Sequence, residues 1–207
     1  MRNYICESVA ECRKVIDNEI LQGGNHTVVV LLPKKVNDLA DRLNGSSLSG
    51  WSVSHIITPE FNATKMVDGR KYYAHSVSIT CPFRGEEVRR YKDKLKSVSK
   101  PIKALDSDRK KVDAIARFIC DSVEYKLMSY PMFAYSALMD GKAVCAGYSR
   151  LFRSICAECG IKARCIDGTY KNQSHEWNEV FLDGQWEKID VTFMDAKNRS
   201  HSLWGLT

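Results

Sequence analysis

Apolar and polar positions alternate along the chain in short, separable stretches. Over residues 5–21, Ile5, Val9, Cys12, Ile16 and Ile20 recur at helical spacing, and the following QGGNH stops the helix. TVVVLL, residues 27–32, is short and β-branched and reads as a buried strand. After Pro33 a second helix is expected over 35–43, closed by NGSSLSG. WSVSHII (51–57) and KYYAHSVSITC (71–81) read as strands separated by the turn-rich FNATKMVDG. Together these predict a small N-terminal α/β module in the order α-β-α-β-β.

The pattern then changes. A basic helix is expected over 85–98, with Pro101 marking a boundary. Ser107 can cap the next helix, whose stripe is Val112, Ile115, Ala116, Ile119 and Val123; MSYPMF breaks it. From Cys145 the run CAGYSRLFRSICAECG places Tyr148, Leu151, Phe152, Ile155, Cys156 and Cys159 on one stripe before a Gly160 stop, which predicts a helix with one buried face. In SHEWNEVFLDGQWEKIDVT, residues 174–192, two alternating runs flank Asp183-Gly184, a dipeptide suited to a type I′ hairpin turn. A two-residue turn sets Leu182 opposite Gln185, Trp177 opposite Asp190 and His175 opposite Thr192. His175, Trp177, Asp190 and Thr192 then share one face, with His175 and Asp190 as diagonal neighbours roughly 7–8 Å apart.

Composition narrows the class. At 207 residues and 44% hydrophobic, the chain can bury a sizeable core. No apolar run is long enough to span a membrane, and MRNYICESVAECRKVIDNEI carries charges where a signal peptide needs its apolar region. A soluble, cytoplasmic protein with reduced thiols is expected, its eight cysteines notwithstanding. Cys156 and Cys159 form a C-x-x-C followed by Cys165, but both lie on the stripe of one helix and nothing completes four zinc ligands, so no metal is expected. The histidines at 26, 55 and 75 are read as packed or surface residues, because no carboxylate or cysteine pattern ties them together. The formal charge of +6 is concentrated in residues 84–111, where eleven Lys and Arg face five acids. Such a run can contact an acidic partner, but it is more often a solvated helix face; with no nucleic-acid motif, nucleic-acid binding is not expected.

The chemistry centres on Cys145. At the first turn of a helix, unpaired N–H groups and the positive end of the dipole stabilise a thiolate, the nucleophilic form. Adding His175 and Asp190 yields a nucleophile, a base and an orienting acid in chain order Cys, His, Asp. The alternative is an inert core cysteine beside a surface hairpin, and spacing alone leaves the two about even.

GKAVCAGYSRLF, GIKARCIDG, HEWNEVFLDGQW and KIDVT resemble the transglutaminase-like superfamily, which places Cys in a G-x-x-C-x-G-Y helix start, His in H-x-W-N and Asp in D-x-T. The resemblance covers roughly residues 105–195. It implies an α+β fold with a papain-like core, in which the Cys-bearing helix packs on an antiparallel sheet supplying His and Asp. It implies the catalytic set Cys145, His175 and Asp190, with Trp177 and Asn178 as packing and support. YSALMDGKAV resembles the bacterial branch, in which a small N-terminal module often precedes the core. The corresponding division is 1–100 for the α/β module with its basic connector and 101–207 for the catalytic core. No glutamine precedes Cys145 as oxyanion donor, so the Cys145 N–H plus a side chain such as Tyr125 is the candidate pair. No acidic cluster suggests calcium, and no cofactor is implied.

The expected function is cysteine-dependent acyl transfer on a peptide or side-chain amide, with hydrolysis expected because amine transfer needs a water-excluding aromatic tunnel. Transamidation is the alternative. A non-catalytic binding module using residues 84–111 against an acidic partner is a further one.

Overall fold

The computed structural model describes residues 2–50, 52–58 and 63–195. The chain divides into two compact units, Met1–Arg90 and the residues from Tyr91 onward.

The first unit is built on a five-stranded sheet. Strand β1 (Arg2–Ile5) runs parallel to β2 (His26–Leu32), with helix α1 (Val9–Ile20) as the crossover between them. Ser8 caps α1 by accepting the Glu11 N–H, so the helix starts four residues later than the apolar spacing suggests and the preceding RNYI is a strand. Next come the short helix α2 (Leu39–Leu43) and strands β3 (His55–Ile57), β4 (Thr64–Val67) and β5 (Arg70–Thr80). The long β5 pairs antiparallel with β2 on one side and with β3 and β4 on the other.

Two expectations change here. The predicted strand over 51–57 shrinks to His55–Ile57, because Ser52 and Ser54 donate their hydroxyls to the carbonyls of Ser49 (2.9 Å) and Leu48 (3.0 Å) and hold the backbone in a folded loop. The segment read as turn-rich contains β4. Asp68 and Gly69, with φ of 48° and 74°, form the hairpin turn that joins it to β5.

The remainder begins along α3 (Gly85–Lys103), which runs through Pro101 instead of ending before it. Pro101 lies in the last turn, where its ring and missing N–H disturb only the carbonyl one turn back. In the second unit, α4 (Asp108–Ser122) starts at Ser107, whose Oγ accepts the Lys110 N–H, and buries Val112, Ile115, Ala116 and Ile119. A two-residue parallel pairing of β6 (Glu124–Tyr125) with β7 (Lys142–Ala143) brackets α5 (Ala134–Met139). Helix α6 (Cys145–Cys159) is followed by an antiparallel sheet in the order β10-β9-β8, formed by β8 (Ala163–Tyr170), β9 (Gln173–Leu182) and β10 (Gln185–Ile189), and then by α7 (Val191–Met194). The unit is thus α+β, with α6 laid against the antiparallel sheet.

Helix α6 departs from its expected single buried face: Ala146 through Cys156 are all buried. Its polar residues are tolerated because they are bonded. Ser149 Oγ donates to Trp177 O at 3.1 Å, Ser154 Oγ to Arg150 O at 2.7 Å, and Arg150 forms an ion pair described below. Among the described residues no helix is long and apolar enough to cross a membrane.

Candidate active site

Cys145 is the first residue of α6. Val144, in extended conformation at the N-cap position, supplies no side-chain cap, so the first-turn N–H groups remain available to the thiol. Two contacts seat this end of the helix. Val144 N–H donates to Pro131 O at 3.2 Å, and Gly147 lies so close to the 131–143 segment that a Cβ there would stand 2.5 Å from Ala143 Cβ and 2.6 Å from Pro131 O. The glycine of the C-x-G-Y motif is therefore a packing requirement.

The hairpin register is the one set by the two-residue turn, from Gln185 opposite Leu182 to Ile189 opposite Asn178. The ladder stops there. Asp190 and Thr192 do not extend β10; Asp190 instead caps α7, its Oδ1 accepting the Phe193 N–H at 3.2 Å. Its other oxygen, Oδ2, lies 2.7 Å from His175 Nε2. The same imidazole interacts with the Cys145 thiol, and with Nε2 meeting Asp190, Nδ1 is the nitrogen left for sulfur. Cys145, His175 and Asp190 are thus brought together; His175 and Asp190 are both buried.

The electrostatics follow from these contacts. Burial pushes the Cys145 thiol up and is the largest single influence. The hydrogen bond with His175, the main-chain groups of Glu176 and Ala146 and the imidazolium charge outweigh it together, and the net shift is downward. His175 is raised to about 9, first by the hydrogen bond to Asp190, then by the one to Cys145. Each partner favours the charged form of the other, the arrangement of a thiolate–imidazolium pair. Burial pushes the thiols of Cys6, Cys12, Cys81, Cys156, Cys159 and Cys165 in the opposite direction.

Several residues surround the site, and Phe193, Arg150 and Glu176 among them escaped the sequence. Phe193 lies nearly parallel to the His175 ring at 4.8 Å, and Trp177 does so at 6.0 Å. Trp177 covers Gly168 on β8, where a Cβ would come within 2.4 Å of the indole, and Lys188 Nζ sits 4.1 Å from its ring centre. Asn178 Nδ2 donates to Ser149 O at 3.0 Å and Arg164 O at 3.3 Å, tying β9 to α6 and β8. Glu176, between His175 and Trp177, points to the opposite face. There it meets Arg150 of α6 in a bidentate pair of 3.1 and 2.7 Å, while Arg150 Nη1 donates to Met132 O at 2.8 Å. A long-range pair of this kind has no periodic signature.

A cavity of about 270 Å³ opens beside the imidazole, with Tyr125, Tyr170, Gln173, Ser174 and Phe193 in its wall together with His175. Tyr125, the candidate oxyanion donor, is therefore on this side of the site. The C-x-x-C thiols are buried on α6, and among the described residues no three His, Cys, Asp or Glu side chains form a group that could hold a metal ion. His26 lies 3.2 Å from Glu19, and His75 is buried in β5. The basic segment is partly neutralised: Arg84 pairs with Glu87, Arg109 with Asp183 and Glu187, Lys110 with Asp106, and Lys111 with Asp108.

Residues 96–191 match the model of the transglutaminase-like superfamily. That segment is a transglutaminase-like domain within the chain. Kyphoscoliosis peptidase of mouse is 30% identical over 114 residues, covering 46% of this chain and 17% of that protein; the human form is 29% identical over the same length. The chain therefore corresponds to less than a fifth of the length of these curated relatives. Among solved structures, a candidate cysteine protease from Cytophaga hutchinsonii superposes with a TM-score of 0.44 at 18% identity, over 67% of this chain and 64% of that one. The periplasmic domain of TgpA from Pseudomonas aeruginosa does so with 0.43 at 14% identity, over 70% and 64%. The transglutaminase-like domain contains all three residues of the site, Cys145, His175 and Asp190.

Proposed function

We propose that the transglutaminase-like domain is a cysteine-dependent acyl-transfer enzyme that hydrolyses an amide of a protein or peptide. The observation that carries this reading is the buried 2.7 Å contact of His175 Nε2 with Asp190 Oδ2 on an imidazole that also bonds the Cys145 thiol. In the reaction, the Cys145 thiolate attacks the amide carbonyl carbon and forms the C–S bond. The negative charge that develops on oxygen is placed near the N–H groups of the first turn of α6. His175 gives its proton to the leaving nitrogen as the C–N bond breaks, leaving a thioester. Water then attacks the thioester, passing a proton to His175, and the C–S bond breaks to release the acid and restore the thiolate–imidazolium pair. Asp190 holds the imidazole in orientation and offsets its charge throughout.

A second reading, transfer of the acyl group to an amine, shares the first half of this cycle. The aromatic cavity beside His175 favours it, because an amine seated there would exclude water from the thioester. Incubation of the protein with candidate peptides, with and without a primary amine, tests both by mass spectrometry. Cys145-dependent gain of water supports hydrolysis, incorporation of the amine supports transfer, and neither product at any peptide, with Cys145 labelling no faster than the buried thiols, ends the enzymatic reading.

A further inference from the structure

The cavity at His175 has a definite place in the proposed reaction. The imidazole protonates the nitrogen that departs, so the residue carrying that nitrogen must lie against His175 on the side away from Asp190. The cavity borders this imidazole, with Thr192 and Phe193, just beyond Asp190, also in its wall. One wall is His175 itself; another is Tyr125 of β6, which pairs with Ala143 two residues before Cys145. Tyr170, Gln173 and Ser174, where β8 turns into β9, also line the cavity. Tyr170 meets Phe193 edge to face at 4.7 Å, and Phe193 stacks on the imidazole, so the walls are braced against the catalytic ring.

Size and charge restrict the occupant. A volume of about 270 Å³ sits just below the roughly 300–1,000 Å³ of whole-ligand pockets and suits one large side chain. Three of the walls are aromatic rings, which favour a flat or bulky apolar group. The charged imidazolium beside them, with Lys171 Nζ 5.4 Å from the Tyr170 ring centre, disfavours a cationic side chain.

We propose that this cavity is the subsite for the leaving-group side of the scissile amide and selects an aromatic or large aliphatic residue there. The assignment rests on the acyl-transfer reading of Cys145. It also gives an acceptor amine, where one is used, the same seat, since the acceptor must approach the thioester along the path by which the first amine left.

The test uses the full chain with a peptide mixture varied on both sides of the amide, cleavage sites being read by mass spectrometry. Wild type is expected to favour Phe, Tyr or Leu over Ala on the leaving-group side by about tenfold or more, the range that hydrophobic pockets achieve. Tyr170→Ala, which removes a wall, is expected to flatten the preference. Ser174→Phe, which fills the space from an exposed position, is expected to shift it towards Gly and Ala. Cysteine-dependent cleavage with no preference at that position, or with one that both variants leave intact, overturns the subsite while acyl transfer stands. A second readout needs no turnover. Phenylalaninamide, standing in for the leaving amine, is expected to slow iodoacetamide labelling of Cys145 several-fold more than alaninamide does, and Ser174→Phe to erase the difference. If that protection is seen but no peptide is cut or modified, the cavity stands as a binding site and the enzymatic reading falls. If the two amides protect equally, the subsite assignment falls.

Discussion

Asp190 serves His175 and its own helix with different oxygens: Oδ2 lies 2.7 Å from the imidazole Nε2, and Oδ1 accepts the Phe193 N–H at 3.2 Å. An amide has only one accepting oxygen, so Asp190→Asn must sacrifice one role. If the oxygen keeps the cap, the amide N–H₂ faces Nε2 and forces the proton onto Nδ1, opposite the thiol. The expected outcome is a stability change within about 1 kcal/mol, since Asn caps as well as Asp, with acylation slowed by about 10³–10⁴. Thermal unfolding and single-turnover acylation, measured on one preparation, check both.

The reactive ion pair has a defined pH window. Cys145 is lowered, so its thiolate persists below the free thiol range; His175 is raised to about 9, so the imidazolium persists above the usual histidine range. The rate of acylation should rise as Cys145 loses its proton and fall again as His175 loses its own near pH 9. Iodoacetamide labelling, followed cysteine by cysteine, should single out Cys145 at a pH below the free thiol range, and His175→Ala should move that labelling to higher pH. Equal rates at Cys145 and Cys165, whose thiol is pushed up to about 11, would contradict the pairing.

Gly147→Ala tests how the thiol is placed. The new methyl would meet Ala143 Cβ and the Pro131 carbonyl at 2.5 and 2.6 Å, and neither backbone segment can swing away as a flexible side chain would. A loss of about 1–3 kcal/mol is expected from overpacking, accompanied by slower Cys145 labelling because the helix start must shift. Urea denaturation and the labelling rate report the two effects separately.

Arg150→Met leaves Glu176 buried without its partner. Removing one member of a buried pair costs about 3–5 kcal/mol, whereas Arg150→Met combined with Glu176→Leu should recover most of it. The pH dependence distinguishes this from simple loss of packing. Burial already raises the Glu176 carboxyl, and losing the guanidinium raises it further. A carboxyl raised above its unfolded value stabilises the fold at low pH and loses that contribution as pH rises. The single variant should therefore be relatively more stable at pH 5 than at pH 8 in urea titrations, and the double variant should not.

How much of this was legible in the sequence depends on distance along the chain. Helix α6 begins at Cys145 and ends at Gly160, in the left-handed region with φ 79°, as its apolar spacing and glycine stop require. Asp183 and Gly184 take the positive φ values of their turn, and that turn determines the register from Gln185 opposite Leu182 to Ile189 opposite Asn178. Caps and two-residue turns act within a few residues, so the sequence declares them. The parallel pairing of β1 with β2, the immersion of α6 on almost every side, the Arg150–Glu176 pair and the Phe193 ring against His175 join residues that no local pattern connects. The sequence by itself determined which helix would carry the Cys145 thiol and which hairpin would carry His175 and lead into Asp190. Only the tertiary structure decided that they meet, that Asp190 reaches His175 from a helix cap and not from a strand, and that a cavity stands beside the imidazole, because burial and close packing arise between segments after the chain has folded back on itself.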